Sequence, residues 1–390
     1  MAVPERRIIA VLVALVIVVV VGFGVVRRTP EGAETVRDAV PPIPSVHAAD
    51  LGPLTQNGRV VARDDGQSTR YGDRSAWVFA DTVLRDPEGF LSNSAASTRD
   101  LRAADGITLT SSDVFGTSGR DPAALFGHTP AEAAFQQRHA TGCTPAGDVY
   151  CGASFAFWPG PVIADPHRAR LLVFYTKLCR SGAEGTPCSG PFGRALGTGI
   201  LAVDLRTREI RRLPAERGQD VRSIEGPDPT MFFPPSAAYA AAAVVVGDDV
   251  YVYGDCDSVC RLARAPLDRI TDRLRWRFWT GTGWSSNPDR AVGTIRAGSA
   301  GNTVFYDPAL EGWLNVYLPG VDDTIRAQIG GSPTGPWSAA FPILTTSGRR
   351  PNYAAFAHPE YAEHDGLTQY LTYFHADSGE LRLTKVTFEP

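Results

Sequence analysis

Two aspartates, Asp64 and Asp81, frame a short apolar run in "RDDGQSTRYGDRSAWVFADT", Arg63 to Thr82. Asp65 follows the first, Asp73 sits in a Gly-Asp turn, and Asp81 closes the stretch. If the segment is a β-hairpin, its strands return to one edge, which makes Asp64 and Asp81 neighbours and sends Asp73 to the opposite end. Carboxylates brought together in this way can divide a reaction between them. One supplies a proton while the other acts as base or nucleophile.

The rest of the chain indicates what would hold such a pair. After residue 51 one strand pattern recurs: "SAWVFAD" (75–81), "RLLVFYTKL" (170–178), "DDVYVYGDC" (248–256), "GWLNVYLPG" (312–320) and "LTQYLTYFH" (367–375). Each is a β-branched and aromatic run after a turn rich in Asp, Gly or Pro. An apolar or small-residue segment precedes each, and a third strand follows: "GITLTSS" (106–112), "GILAVDL" (199–205), "RLARAPL" (261–267), "TIRAQIG" (324–330) and "ELRLTKVTF" (380–388). Radial repetition of such units is a β-propeller, here all-β with five blades. A β-sandwich could use similar strands but gives no reason for matching units. The last unit lacks an outer strand, which "LTQNGRVVA" (54–62) is expected to supply, closing the ring. The stretch 121–140 reads as an insertion with one short helix.

In a propeller blade the innermost strand starts on the face where the second strand ends. That rule sends Asp64 and Asp81 to one channel mouth. It sends Lys177, Asp255, Asp257 and His375 there from ends of second strands, and Trp158 and Tyr353 from starts of inner ones. Acids, a lysine, a histidine and aromatics around an axial pocket suit a carbohydrate, since aromatic faces stack on sugars. Asp64 and Asp81 are the expected catalytic pair, with Glu225 in "IEGPDP" and Glu360 in "AHPEY" as further candidate acids. Trp158, Lys177, Asp255, Tyr353, His358 and His375 are expected to bind substrate. Trp276, Trp279, Trp284 and Trp337 are assigned to packing. No metal or cofactor is expected; an acidic mouth could hold Ca²⁺, but no Asp-x-Asp-x-Asp-Gly loop is present.

Bulk properties set the compartment. The 390 residues carry a net charge of −4, which argues against a nucleic-acid surface. Residues 8–26, "IIAVLVALVIVVVVGFGVV", are uncharged, apolar and bracketed by Arg6-Arg7 and Arg27-Arg28. That length spans a bilayer and exceeds a signal-peptide core of about 7–15 residues. It is expected to be an uncleaved single-pass anchor behind a short tail, 1–7. Residues 27–50 read as a linker and 51–390 as the propeller. The six cysteines fall into local pairs, Cys143/Cys151, Cys179/Cys188 and Cys256/Cys260, without Cys-x-x-Cys zinc spacing. Disulfides require an oxidising compartment, so the domain is expected outside the cytoplasm at the cell membrane, as a monomer.

The ordered set of motifs also resembles a known family. "RDDGQS…GDRSAWVFADT", "FLSNSAAST", "DDVYVYGDCDSVCRLARAPLDRITDRLRWRFWTGTGW", "SPTGPWS" and "NYAAFAHPEY" with "GELRLTKVTF" are similar to five-bladed propeller endo-D-arabinanases of actinobacteria, a family long carried as a domain of unknown function. More distantly they resemble the propeller arabinanases, xylosidases and fructosidases. Where that family usually shows Arg-Asp-Gly-Gly and Phe-Gly-Asp-Thr, this chain has Arg63-Asp64-Asp65-Gly66 and Phe79-Ala80-Asp81-Thr82. The resemblance implies a glycoside hydrolase that cuts D-arabinofuranosyl linkages of cell-envelope arabinan, its polysaccharide partner. The alternative is a propeller that binds envelope glycan or a protein without cleaving anything.

Overall fold

The computed structural model describes residues 39–85, 89–110, 122–190, 192–320 and 322–389. The apolar stretch 8–26 lies outside them; among the described residues no helix is long and apolar enough to cross a membrane.

Five antiparallel sheets form the blades, each starting from an inner strand. Blade 1 runs Val60–Tyr71, Arg74–Leu84, then Gly89–Leu91 and Ser94–Thr98, both against the second strand. Blade 2 runs Ser154–Ala164, Arg170–Arg180, Arg194–Asp204 and Ile210–Arg212. Blade 3 runs Ala242–Val246, Asp249–Gly254, Val259–Pro266 and Arg277–Trp279. Blade 4 runs Thr303–Asp307, Gly312–Tyr317, Thr324–Gly330 and Phe341–Thr345. Blade 5 runs Tyr353–Ala357, Thr368–His375 and Glu380–Glu389, and Ser45–Pro53 completes it.

Side-chain alternation explains why these strands are so apolar. Successive residues of a strand point to opposite faces, and each second strand is covered by a neighbouring blade on both. Ala76 and Val78 pack with Leu171, Val173 and Tyr175 between blades 1 and 2. Leu172 and Phe174, on the other face of the same strand, meet Val250 and Val252 between blades 2 and 3. Tyr251 and Tyr253 then join Val304 and Trp313 between blades 3 and 4. Leu314 and Val316 join Leu371 and Tyr373 between blades 4 and 5. Tyr370, with Leu381 and Leu383, returns to Trp77 and Phe79 on blade 1. Five hydrophobic clusters therefore fill five seams, and the ring is closed.

Two expected strands are corrected. The strand that closes the ring is Ser45–Pro53, not 54–62. It pairs antiparallel with the last strand, from Ser45 opposite Glu389 to Pro53 opposite Arg382, so part of the expected linker belongs to the propeller. Arg382 bonds Asp50 across this pair. Of the expected third strand of blade 1, 106–112, the described residues 106–110 do not pair with the second strand, and 111–112 lie outside the described residues. Ser94–Thr98 takes that place, while Thr108–Leu109 pairs in parallel with Thr55–Gln56. The insertion does carry one helix, Pro130–Ala140, opened by a capping box between Thr129 and Glu132. All six cysteines are paired as expected: Cys143–Cys151, Cys179–Cys188 and Cys256–Cys260.

The seam between the first and last blades has a polar clasp. His358 stacks on Trp77 with ring centroids 4.3 Å apart and is fully buried. Its Nδ1 meets Ser68 Oγ at 2.6 Å and its Nε2 meets Thr372 Oγ1 at 2.8 Å. The Ser68 and Ser75 hydroxyls donate to Glu360 Oε1 at 2.5 and 2.7 Å. Burial drives the His358 pKa down to about 3, so the folded ring stays neutral, whereas the unfolded chain protonates it below about 6.5.

Two outcomes test this construction. Between pH 6.5 and 3 the unfolded state binds a proton at His358 that the native state refuses, so stability falls as pH falls. The slope from this residue approaches about 1.4 kcal/mol per pH unit; denaturant titrations at pH 7 and pH 5 should show it, with a shallower loss in His358→Gln. A chain that starts at residue 54 lacks the closing strand and exposes an unpaired edge. Its melting temperature should fall by about 10 °C or more relative to a chain starting at residue 39, with aggregation visible by light scattering.

Candidate active site

The acid pair is positioned by the blade 1 hairpin, whose register sets Arg63 opposite Thr82 and Asp65 opposite Phe79. The register slips around Asp65, where Asp65 and Gly66 take left-handed conformations, with φ of 62° and 97°. Aspartate tolerates this region and glycine favours it. Any larger residue at 66 would also bring its Cβ to 3.2 Å from Leu381 Cδ1. The bulge breaks the usual alternation. Consecutive residues, Asp64 and Asp65, both come under the charge of Asp81.

The three carboxyls are treated differently. The Asp81 carboxylate is gripped by Arg180, whose Nη1 and Nη2 donate at 2.8 and 3.0 Å, and by Trp158 Nε1 at 3.0 Å. Asp64 receives the Tyr353 hydroxyl at 2.9 Å and the backbone N–H of Asp81. These bonds favour its charge, but burial and then the negative Asp81 outweigh them and push its pKa up to about 7. Its Oδ1 is enclosed without a hydrogen-bond partner, where a bare charge would be costly. Asp65 is held well above the carboxylate range by burial and then by Asp64 and Asp81. Arg63 does not neutralise them. It lies over the Phe79 ring at 4.3 Å, and burial lowers its pKa to about 9. One acid therefore carries charge in an ion pair beside another that holds its proton near neutrality, a division that suits acid–base chemistry.

Other expected members have partners of their own. Lys177 is fully buried and faces the blade 1–2 seam, because the second strand of blade 2 runs on to Arg180 and that residue reaches Asp81 instead. The Lys177 ammonium contacts Glu132 Oε1 at 2.8 Å, Asp228 Oδ2 at 2.9 Å and Glu225. Arg212 adds two bonds to Glu132 at 2.7 and 2.9 Å. Burial opposes ionisation of Glu132 and Asp228, but Arg212 and Lys177 on the former and Lys177 on the latter hold both below their ordinary pKa. Glu225 is thus a partner in a structural ion cluster and no spare acid. Glu132, Glu225 and Asp228 bring ligand atoms within 4.8 Å of one another, but Lys177 already supplies the positive charge among them.

Asp255 pairs with Arg261 at 2.7 Å inside blade 3, and Asp257 is exposed in the turn closed by Cys256–Cys260. His375 is tied to Ser378 Oγ at 2.8 Å and the Ser347 carbonyl at 3.0 Å. His358 and Glu360 follow the end of the blade 5 inner strand whose start carries Tyr353, which puts them toward the opposite face from Asp64. Glu360 there lines a cavity of about 390 Å³ with Ser68, Thr69, Arg70 and Thr303. Ser68 between a histidine and a glutamate is not an activated nucleophile, since the second His358 nitrogen meets Thr372 rather than a carboxylate. Asp73 sits in the hairpin turn and pairs with Arg99 at 3.2 Å.

Sequence reasoning missed Arg180, underweighted Asp65, and passed over Phe90 and Phe192, which flank Arg180 and Trp158. The signal for Arg180 was available: an arginine directly after Cys179, just past the apolar run of the second repeat unit, as Asp81 stands just past that of the first. The Asp-Asp-Gly bulge was legible only as a turn-like tripeptide.

A family model described as a domain of unknown function, DUF4185, matches residues 220–376. No curated protein matches. Among solved structures, one from Bacteroides ovatus ATCC 8483 assigned as a hydrolase is 12% identical with a TM-score of 0.56, over 87% of this chain and 90% of its own. An N-acetylgalactosamine deacetylase from F. plautii is 10% identical with a TM-score of 0.45, over 92% and 95%. An alpha-L-arabinofuranosidase from Podospora anserina is 10% identical with a TM-score of 0.42, over 90% and 98%. At these identities the likeness is one of fold.

Proposed function

We propose that this protein is a glycoside hydrolase anchored by residues 8–26 on the outer side of the cell membrane, acting on D-arabinofuranosyl linkages of envelope arabinan. The observation that carries the reading is the unequal acid pair: Asp64 holding a proton near neutral pH beside an Asp81 carboxylate fixed by Arg180 and Trp158. In the reaction Asp64 protonates the leaving glycosidic oxygen, and Asp81 acts as base toward water or as nucleophile at the anomeric carbon. Tyr353 orients Asp64, Arg180 positions Asp81, and protonated Asp65 keeps a third charge out of the site. The arabinan substrate rests on the sequence resemblance, the outward location on the paired cysteines, and the anchor on the apolar run. The competing reading, a binding platform without catalysis, leaves the shifted acid beside an ion-paired one without a purpose.

The test is release of oligosaccharides from purified arabinogalactan by the domain beginning at residue 39. Asp64→Asn and Asp81→Asn should each lower kcat by about 10²–10⁴-fold, with circular dichroism unchanged. Binding to the polymer without release by the wild type would support the platform, and release from another polysaccharide alone would overturn the arabinan assignment. Because Asp64 acts in its protonated form, activity should decline about tenfold per pH unit above pH 7, where that proton is lost. Arg180→Gln should lower kcat with little change in KM, since it loosens the carboxylate rather than the substrate. Equal activity in Arg180→Gln would remove Arg180 from the mechanism.

A further inference from the structure

Most large aromatic side chains in this protein are buried in the blade seams. Phe90 and Phe192 are not: they are 54% and 74% exposed. Neither stands alone. Arg180 Cζ lies 4.9 Å from the Phe90 ring centroid and 5.9 Å from that of Trp158. Trp158 meets Phe192 edge to face at 6.5 Å. Phe90 and Trp158 thus flank the arginine that holds Asp81, and Phe192 extends the group beyond Trp158.

The backbone next to Phe192 is held closely. Its neighbour Gly193 has a φ of 58°, and a Cβ there would lie 1.9 Å from the Cys179 carbonyl oxygen. The segment therefore presses against the strand that ends in Arg180, directly beside the Cys179–Cys188 bridge. Phe90 sits in a strand of blade 1, Gly89–Leu91, paired to the strand that carries Asp81. Exposed rings on such anchored backbone form a fixed surface, and contiguous exposed apolar surface marks a site of interaction.

Charge narrows the occupant. Arg180 is paired with Asp81, so this cation is already engaged and the rings beside it present π faces. A flat aromatic face without net charge suits a neutral ring whose C–H bonds are polarised by attached oxygens, which is one face of a sugar.

We propose that Phe90 and Phe192, with Trp158, form an aromatic subsite that takes sugar rings adjacent to the cleaved linkage, so that binding strengthens with substrate length. The assignment rests on the hydrolase reading above, in that it takes Asp64 and Asp81 as the point of cleavage. The subsite makes affinity depend on chain length, because a short substrate filling the acid pair leaves the rings uncovered.

The experiment uses D-arabinofuranosyl oligosaccharides of graded length. For the wild type, kcat/KM should rise by about tenfold or more at the length that reaches these rings, chiefly through KM. In Phe192→Ala and Phe90→Ala the long-over-short ratio should shrink to within about twofold, and Phe192→Trp should restore it. A ratio that these variants leave intact overturns the subsite. Binding gives an independent readout: in the Asp64→Asn background, a long oligosaccharide followed by tryptophan fluorescence should bind about tenfold more weakly when Phe192→Ala is added. Unchanged affinity there overturns the subsite even if the wild type cleaves. Weakened binding together with no cleavage by the wild type upholds the subsite and discards the hydrolase.

Discussion

Each second strand in this propeller has to satisfy two neighbours at once. With a side-chain period of two, half of its residues feed one inter-blade core and half feed the next. Trp77 and Phe79 look toward blade 5 while Ala76 and Val78 look toward blade 2. That demand leaves little freedom in register, since a slip by one residue would exchange the contents of two cores. It also fixes where the polar residues beyond the apolar run emerge. Asp81, near the end of Arg74–Leu84, and Arg180, the last residue of Arg170–Arg180, meet as an ion pair between adjacent blades.

The site then departs from the rule that built it. Around Asp65 the inner strand of blade 1 abandons strict alternation, and the bulge concentrates three carboxyls where a regular strand would offer two at most. One arginine cannot compensate three acids, so protons must be retained. The structure retains them on the enclosed members, Asp64 and Asp65, and leaves the charge on Asp81 at the side of Arg180. The left-handed conformation of Asp65 is the cost of that concentration, and the hairpin pairing on either side holds it in place.

Much of the scaffold was legible in the sequence, because apolar runs buried on both faces are long, β-branched and repeated. All five second strands sit where the pattern put them. The end of the blade 2 strand was misjudged by two residues, and that small error exchanged Lys177 for Arg180 at the site. The closing strand was misplaced for a different reason. "SVHAADLGP" carries only a weak pattern of half-buried residues, since an outermost strand packs on one side alone. His358, Glu360 and Glu225 looked like site residues because polar groups stand out in a sequence, yet each is consumed by a buried network across a seam. Separating such networks from a site requires knowing which seam a residue faces, and that depends on distant blades.

The closing strand also orders events in time. Ser45 pairs with Glu389, so one of the first parts of the domain to be synthesised must wait for nearly the last. Until then blade 5 lacks its outer edge, and Val46 and Ala48 are missing from its seam with blade 4. Contacts of such long sequence separation are slow to form, because the loop entropy is spent before the contact is made. Maturation of the ring is therefore a late and concerted step.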